Sequence, residues 1–198
     1  MGRREAADRN PDHEGAGGGH MDALEARLRA HGIDPTRFGQ GSAKSLAHLV
    51  AELANGEAAL IEQDGRLVRR VGVLNVDVLA DHAGRRLRLV EDRQEFADGR
   101  VRLRALPCSV AEKLHDGEDR TKAVARALAE ELGITRYRLV SGFEDAVKAD
   151  ESPSYPGLRS EYAITRIAVL IDPAEYRPSY REDQPDKSTF FAWEKAPV

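Results

Sequence analysis

Cysteine is almost missing from this chain of 198 residues, in which Cys108 stands alone. A single cysteine excludes an internal disulfide and any metal site built from several cysteines. Long apolar runs are missing too, because no run approaches the roughly 18 residues that predict a membrane helix. The net charge is only −4, which argues against a surface built mainly to bind nucleic acid. We therefore expect neither a membrane nor a nucleic acid as a partner.

A secretory signal is also lacking. The first 20 residues are charged and rich in glycine, without the apolar segment that such a signal needs. We predict a disordered tail over residues 1–20 and a cytoplasmic protein. A helical extension over residues 21–56 and one main domain over residues 57–198 follow. The apolar share of 41% is sufficient for a hydrophobic core in that domain.

The periodicity of apolar residues predicts two helices in the extension and a sheet after it. The first helix covers residues 21–31, and the second starts at Ser42 or Ser45 and ends near Ala54. Asp64-Gly65 predicts a hairpin between strands over 57–63 and 66–79, with an irregularity near Asn75. Further strands are predicted over residues 85–91, 101–106, 136–143, 162–171 and 188–193, and loops over 107–117, 148–157 and 173–187. A sheet packed against a helix fits an α/β or α+β fold.

The most informative segment is an acid-rich helix over residues 118–134. Asp119 is a candidate N-cap and Gly133 a candidate left-handed stop. A buried stripe repeats at i, i+4 and i+8 and consists of Val124, Leu128 and Leu132. Glu130 and Glu131 lie on another face, and adjacent carboxylates on a helix suit a hard divalent cation. The alternative is that these acids only form a solvated helix face, which is the common role of glutamates in helices.

The same segment resembles the signature of the Nudix hydrolases. The family pattern is a glycine, five residues, a glutamate, seven residues, and then Arg-Glu-aliphatic-x-Glu-Glu-x-Gly-aliphatic. Here Glu118 matches the first glutamate, and residues 126–134 match the second part, from Arg126 to Ile134. Leu106-Pro107, Gly117-Glu118 and the aromatic segment 191–194 are also typical of the family. The resemblance covers residues 57–198 and implies a Nudix-like mixed β-sheet sandwiched by helices.

Two positions depart from the family pattern. Glu112 replaces the opening glycine, and Ala127 replaces the glutamate that follows the arginine. In the family that glutamate helps to hold the catalytic magnesium, and in a helix it would lie one turn before Glu130 and Glu131. Its loss removes one ligand and weakens the predicted site. Carboxylates that could compensate are Glu112, Glu118, Glu144 and Asp145.

The resemblance implies hydrolysis of a nucleoside diphosphate-linked or related pyrophosphate, with Mg²⁺ or Mn²⁺ as the cofactor. It implies that Glu130 and Glu131 are catalytic. The implied metal ligands are Glu118, Glu130 and Glu131. Arg126 would be structural and hold the loop before the helix, while Gly117 and Gly133 would provide turns. The ion pair of Arg126 with Glu130 at i+4 could also be an ordinary surface pair.

Substrate contacts are expected from basic and aromatic residues near this helix. Arg102 and Arg104 alternate on one predicted strand and Lys113 follows in the loop, so they are candidates for binding phosphate. These arginines could equally form the solvent-exposed face of an edge strand. Tyr155, in a loop stiffened by two prolines, could stack on a base or could pack the loop onto the sheet.

Three functions remain open at this point. The first is an active Nudix-type hydrolase with a reduced metal site. The second is a catalytically impaired Nudix-like module that binds a nucleotide-like small molecule or has a regulatory role. The third is an interaction protein whose partner surface is the N-terminal helices. The substrate and the oligomeric state stay open, with a homodimer as one arrangement.

Overall fold

The computed structural model describes residues 15–197, which form three α-helices and ten β-strands. The helices are α1 (Gly15–Ala30), α2 (Leu46–Ala54) and α3 (Arg120–Leu132). The strands are β1 (Ala59–Gln63), β2 (Arg66–His82), β3 (Arg85–Phe96), β4 (Val101–Arg102), β5 (Val110–Leu114), β6 (Tyr137–Leu139), β7 (Glu144–Glu151), β8 (Arg159–Ile171), β9 (Ser179–Asp183) and β10 (Lys187–Lys195). Short 3₁₀ helices lie at Pro35–Arg37 and Pro173–Glu175.

The first helix starts earlier than the sequence predicts. Helix α1 begins at Gly15 rather than at Met21, so the end of the predicted tail is helical. Residues 1–14 of the predicted tail lie outside the described residues. Within residues 15–197, no helix has the length and apolar character needed to cross a membrane.

The strands form one mixed sheet, in which the long strands β2 and β8 lie side by side in the interior. The order is β6-β8-β2-β3-β10-β9, with β1 and β5 paired to β2, β4 paired to β3, and β7 paired to β8. Strands β2 and β8 run parallel, and the other pairs are antiparallel. A mixed sheet of this kind with separate helices confirms the predicted α+β class.

Local chemistry fixes the hairpin between β1 and β2. Asp64 and Gly65 both have positive φ angles, of 52° and 72°. This combination belongs to the tight two-residue turn that matches the twist of antiparallel strands, and it confirms the predicted hairpin. Gly72 has a different role, because a Cβ there would meet the Leu114 Cβ at 2.9 Å. The absence of a side chain at Gly72 therefore lets β5 lie close against β2.

Two hydrophobic clusters hold the elements together. In the larger cluster, α3 packs its predicted stripe of Val124, Leu128 and Leu132 against β2, β3, β8 and β10. In the smaller cluster, the N-terminal helices bury Leu28 and Leu49 against Leu67. Ser45 caps α2 by accepting a hydrogen bond from the His48 N–H at 3.3 Å, as the sequence predicts.

A buried ionic network joins the N-terminal helices to the sheet. Glu52 of α2 and Arg69 of β2 are each 4% exposed. The Arg69 guanidinium donates two hydrogen bonds to Glu52 Oε2, at 3.1 and 2.5 Å. Lys44 and Lys113 donate to the other carboxylate oxygen at 2.7 and 3.1 Å. Although burial opposes ionisation, these donors hold the pKa of Glu52 at about 2.

Three segments predicted as loops contain strands, and the prediction was wrong there. Strand β5 lies within residues 107–117, β7 overlaps 148–157, and β9 lies within 173–187. These strands are short and charged, so their sequences lack apolar alternation, and pairing with longer strands defines them. Two details of the predicted strands also differ. The strand predicted over 101–106 is reduced to β4, and the register of β2 with β8 continues unbroken through Asn75.

Candidate functional site

Helix α3 starts and ends at the residues that the sequence indicates. The Asp119 side chain accepts the Lys122 N–H at 3.0 Å, which satisfies a free donor in the first turn. Gly133 has a φ of +65° and ends the helix in the left-handed conformation. These two caps fix where the acidic residues near the end of α3 lie relative to the sheet.

Arg126 organises the loop that precedes α3. Its Nε and Nη2 donate to the two carboxylate oxygens of Glu118 at 2.9 and 3.1 Å. Nη2 also donates to the Lys113 carbonyl at 3.0 Å, which ties the end of β5 to the helix. Glu118 in addition accepts the His115 N–H at 3.1 Å, and Gly117 supplies a positive φ of 71° before it. The hydrogen bonds from Arg126, followed by that from His115, lower the pKa of Glu118.

Glu130 and Glu131 occupy very different environments. The Glu130 side chain is 62% exposed and lies 3.5 Å from Arg126 Nη1. Glu131 instead lines a polar cavity of about 110 Å³, here called the Glu131 cavity. Other polar residues that line it are Glu91, Gln94, Arg104, Ser109, Glu112, Glu182, Gln184, Lys187 and Thr189. The structure thus separates the two adjacent acids, and only Glu131 faces the cavity.

The electrostatics of the Glu131 cavity disfavour an ionised Glu131. Burial, followed by the nearby carboxylates of Glu182 and Glu112, raises its pKa to about 8. Arg104 opposes the rise, but it is already engaged, because Nε and Nη2 donate to Glu91 at 2.7 and 2.6 Å. The cavity therefore holds more carboxylates than free cationic groups.

Ala127 is fully buried in the larger hydrophobic cluster. At this position the chain offers a methyl group to the core, where the family pattern has a carboxylate. Among residues 15–197, no three His, Cys, Asp or Glu side chains lie close enough together to hold a metal ion. The set of Glu118, Glu130 and Glu131 is not brought together, since Arg126 engages the first two and Glu131 points into the cavity.

The predicted substrate-binding residues also separate. Arg104 lines the Glu131 cavity, whereas Arg102 lies exposed on β4. The Lys113 Nζ points toward the N-terminal helices, where it binds Glu52 at 3.1 Å and Glu57 at 2.5 Å. Lys113 is therefore part of the ionic network and does not line the Glu131 cavity.

Tyr155 is a core residue, which corrects its predicted role in stacking on a ligand. Its side chain is fully buried, with the ring 5.4 Å from Phe38 edge-to-face and 5.2 Å from the Arg69 guanidinium carbon. A ring enclosed in this way has no free face for a base. The alternative interpretation, that Tyr155 packs its loop onto the domain, is the one the structure supports.

The Tyr155 hydroxyl has no hydrogen-bond partner among the described residues. Removing it in Tyr155→Phe is expected to leave the free energy of unfolding unchanged or to raise it by about 1 kcal/mol. Urea denaturation monitored by circular dichroism measures this change. A loss of more than about 1 kcal/mol would show that the hydroxyl makes a stabilising hydrogen bond.

Two further carboxylates of the Glu131 cavity, Glu91 and Glu182, are not among the residues predicted from the sequence. Glu91 is 8% exposed on β3, and Glu182 lies on β9, in a segment predicted as a loop. One signal was available for Glu91. It lies two residues after Leu89 and continues the face of Leu87 and Leu89 in the predicted strand over 85–91, where a buried charge is costly without a partner.

Among known proteins, this chain is similar to some solved structures. No protein-family model matches the chain, and no curated protein matches it. Solved structures of other proteins are similar to it. Two are the Ap4A hydrolase of C. elegans, alone and as a binary complex. They share 14% and 15% identity, each covers 63% of this chain and 79% of that protein, and the TM-scores are 0.34 and 0.32.

A third similar structure is the Nudix domain of Shewanella oneidensis NrtR in complex with ADP-ribose. It shares 12% identity, covers 74% of this chain and 82% of that chain, and has a TM-score of 0.34. TM-scores and identities of this size carry no inference about activity. The function proposed below therefore depends on the residues of this chain.

Proposed function

We propose that this chain is a Nudix-type hydrolase of a nucleoside diphosphate-linked or related pyrophosphate, and that it depends on a divalent cation. The observation that carries the proposal is the position of Glu131. This residue belongs to the segment that resembles the Nudix signature, and its carboxylate points into a polar cavity beside other carboxylates. A half-buried acid surrounded by like charges costs stability unless a cation or a proton neutralises it.

The charges of the Glu131 cavity support a cation more than a bare phosphate. Four glutamates line it, at positions 91, 112, 131 and 182. Of the two basic residues in the lining, Arg104 is held by Glu91, which leaves Lys187. A polyphosphate would meet net negative charge there, so a bound cation is needed to reverse the sign.

The donor chemistry of the cavity fits Mg²⁺ or Mn²⁺, which prefer carboxylate oxygens and water. Because no three acids of the described residues lie close enough to hold one ion together, Glu131 with either Glu112 or Glu182, completed by water, would hold the cation in place of the carboxylate that is missing at Ala127. When bound, the cation would neutralise charge on the phosphate and lower the pKa of its water. The bound cation would favour the ionised form of Glu131, and Arg126 would hold the loop by binding Glu118.

A second candidate is a Nudix-like module that binds a nucleotide-like ligand without turnover. Its support is the buried Ala127 together with the engagement of Glu118 and Glu130 by Arg126. In the family pattern, positions 118, 127 and 130 are glutamates. In this chain none of these positions offers a free carboxylate to the Glu131 cavity. The hydrolase and the binding module would have the same fold, and they differ in whether the bound ligand is hydrolysed.

A substrate panel with Mg²⁺ or Mn²⁺ tests the proposal, and the panel contains ADP-ribose, Ap4A, nucleotide sugars and oxidised nucleotides. We expect one class to be hydrolysed and Glu131→Gln to reduce kcat/KM by about 100-fold or more, because losing even a group that supports a metal ligand costs about 10–100-fold. Glu25→Gln is the matched control, because Glu25 is a helix carboxylate that pairs with Arg29 far from the cavity in sequence.

The outcomes separate the two candidates. Binding by calorimetry without phosphate release would support the module. Hydrolysis that is insensitive to a chelator, or that survives Glu131→Gln at the same rate, would contradict the proposed role of the cavity.

A further inference from the structure

A second cavity, of about 430 Å³, lies where the N-terminal helices meet the sheet. Its lining comes from the residues after α1, the start of β2, the end of β7 and the start of β8. None of the residues that line the Glu131 cavity lines this one. A volume of this size lies within the range of about 300–1,000 Å³ that small-molecule sites occupy.

Two arginines in this second cavity have no carboxylate partner within the described residues. Arg66 and Arg159 are both exposed and form no ion pair there, although many other arginines of the chain do. Val68 is the parallel partner of Arg159, and Arg66 lies two residues before Val68. Since side chains two apart on a strand share a face, both guanidinium groups lie on one face of the sheet.

Gly157 lies beside these arginines in the lining of the cavity. This glycine lines the cavity with a φ of +87°, and a Cβ there would approach Ile33 Cγ2 to 4.0 Å. Ile33 and Leu67 also border the cavity, but at 6% and 3% exposed they belong to the smaller hydrophobic cluster and offer a ligand little surface. The cavity is therefore mainly polar, with two cationic groups that no carboxylate engages.

Two carboxylates complete the lining. Glu151 is the direct partner of Arg159 across the β7–β8 ladder, yet the two side chains form no ion pair within the described residues. Asp150 lies next to it and also lines the cavity. A carboxylate only accepts hydrogen bonds, so Asp150 and Glu151 suit the hydroxyl groups of a sugar. Arginine suits phosphate, which it binds through two parallel hydrogen bonds.

We propose that this cavity is a binding site for a phosphorylated sugar of mononucleotide size. Arg66 and Arg159 bind the phosphate, and Asp150 and Glu151 accept hydrogen bonds from the sugar hydroxyls. The site depends on the N-terminal helices, because His31 and Ile33 form one of its walls. The proposal is independent of any reaction at Glu131.

Titration calorimetry of the full chain in a chelating buffer, with AMP, ribose 5-phosphate and adenosine, tests the site. We expect AMP and ribose 5-phosphate to bind, and adenosine to bind at least about tenfold more weakly, because it lacks the charge-assisted contacts. Arg66→Gln and Arg159→Gln should each weaken AMP binding by about tenfold or more. The control is Arg85→Gln, which removes an exposed arginine at the start of β3.

Backbone NMR locates the ligand. We expect AMP to shift the amide signals of Leu67 and Gly157, and Glu131→Gln to leave the affinity unchanged. The proposal is overturned if AMP and ribose 5-phosphate fail to bind at millimolar concentration, or if both arginine variants bind AMP like the wild type. It is also overturned if Glu131→Gln abolishes AMP binding, because the ligand would then occupy the Glu131 cavity.

Discussion

Glu52→Gln is expected to lower the free energy of unfolding by about 3–5 kcal/mol, the usual cost of removing one partner from a buried ion pair. Glutamine nearly preserves the volume but leaves the buried Arg69 guanidinium without a counter-charge. It also removes the anion that Lys44 and Lys113 share. Each kcal/mol corresponds to about 2–4 °C in a chain of this length, so Tm should fall by roughly 6–20 °C.

Chemical denaturation and differential scanning calorimetry measure this effect. Asp81→Asn is the matched control, because Asp81 forms a similar pair with Arg86 and both side chains are largely exposed. We expect little change in the control, since solvent screens exposed pairs. Equal destabilisation by the two variants would mean that burial does not set the strength of the Glu52 network.

Glu131→Gln is expected to stabilise the metal-free protein at pH 8 by a few kcal/mol. The pKa of Glu131 is raised from its ordinary value of 4.5 to about 8. Between these two pH values the folded state binds the proton more tightly than the unfolded state does. The free energy of unfolding of the wild type should therefore fall as pH rises from 4.5 to 8, by about 1.4 kcal/mol per unit of pKa difference at most.

The difference in stability between wild type and Glu131→Gln should be small below pH 4.5 and should grow through that window. Glu130→Gln is the control, because Glu130 is adjacent in the chain but 62% exposed, and we expect it to change little. If Mn²⁺ binds Glu131, adding it should remove most of the wild-type loss at pH 8. A difference that does not vary with pH would show that Glu131 is not desolvated in solution.

Local signals predicted the elements whose structure depends on a few neighbouring residues. Asp64 and Gly65 define their turn through positive φ angles, and Ser45, Asp119 and Gly133 cap their helices with nearby backbone groups. Strand β7 could not be predicted in this way, because all its residues from Glu144 to Glu151 are exposed. Its strand conformation comes from pairing with β8, which a local pattern does not reveal.

The same difference between local signals and pairing of distant segments applies to the candidate site. The position of Glu131 on α3 followed from helix periodicity, whereas its neighbours in the cavity come from distant segments. Glu91 lies opposite Phe191 in the β3–β10 ladder, and Glu182 lies opposite Thr189 in the β9–β10 ladder. Sheet pairing brings these carboxylates to Glu131, so no spacing along the chain could indicate them.

The pairing of β2 with β8 also constrains how the protein is made. Their register joins positions 91 residues apart, from Val68 with Arg159 to Leu79 with Leu170. As a ribosome extends the chain, β2 therefore emerges long before its parallel neighbour exists. Until β8 follows, one edge of the apolar strand β2 has open hydrogen-bonding groups, and a nascent chain in this state is exposed to wrong pairing or to capture by chaperones.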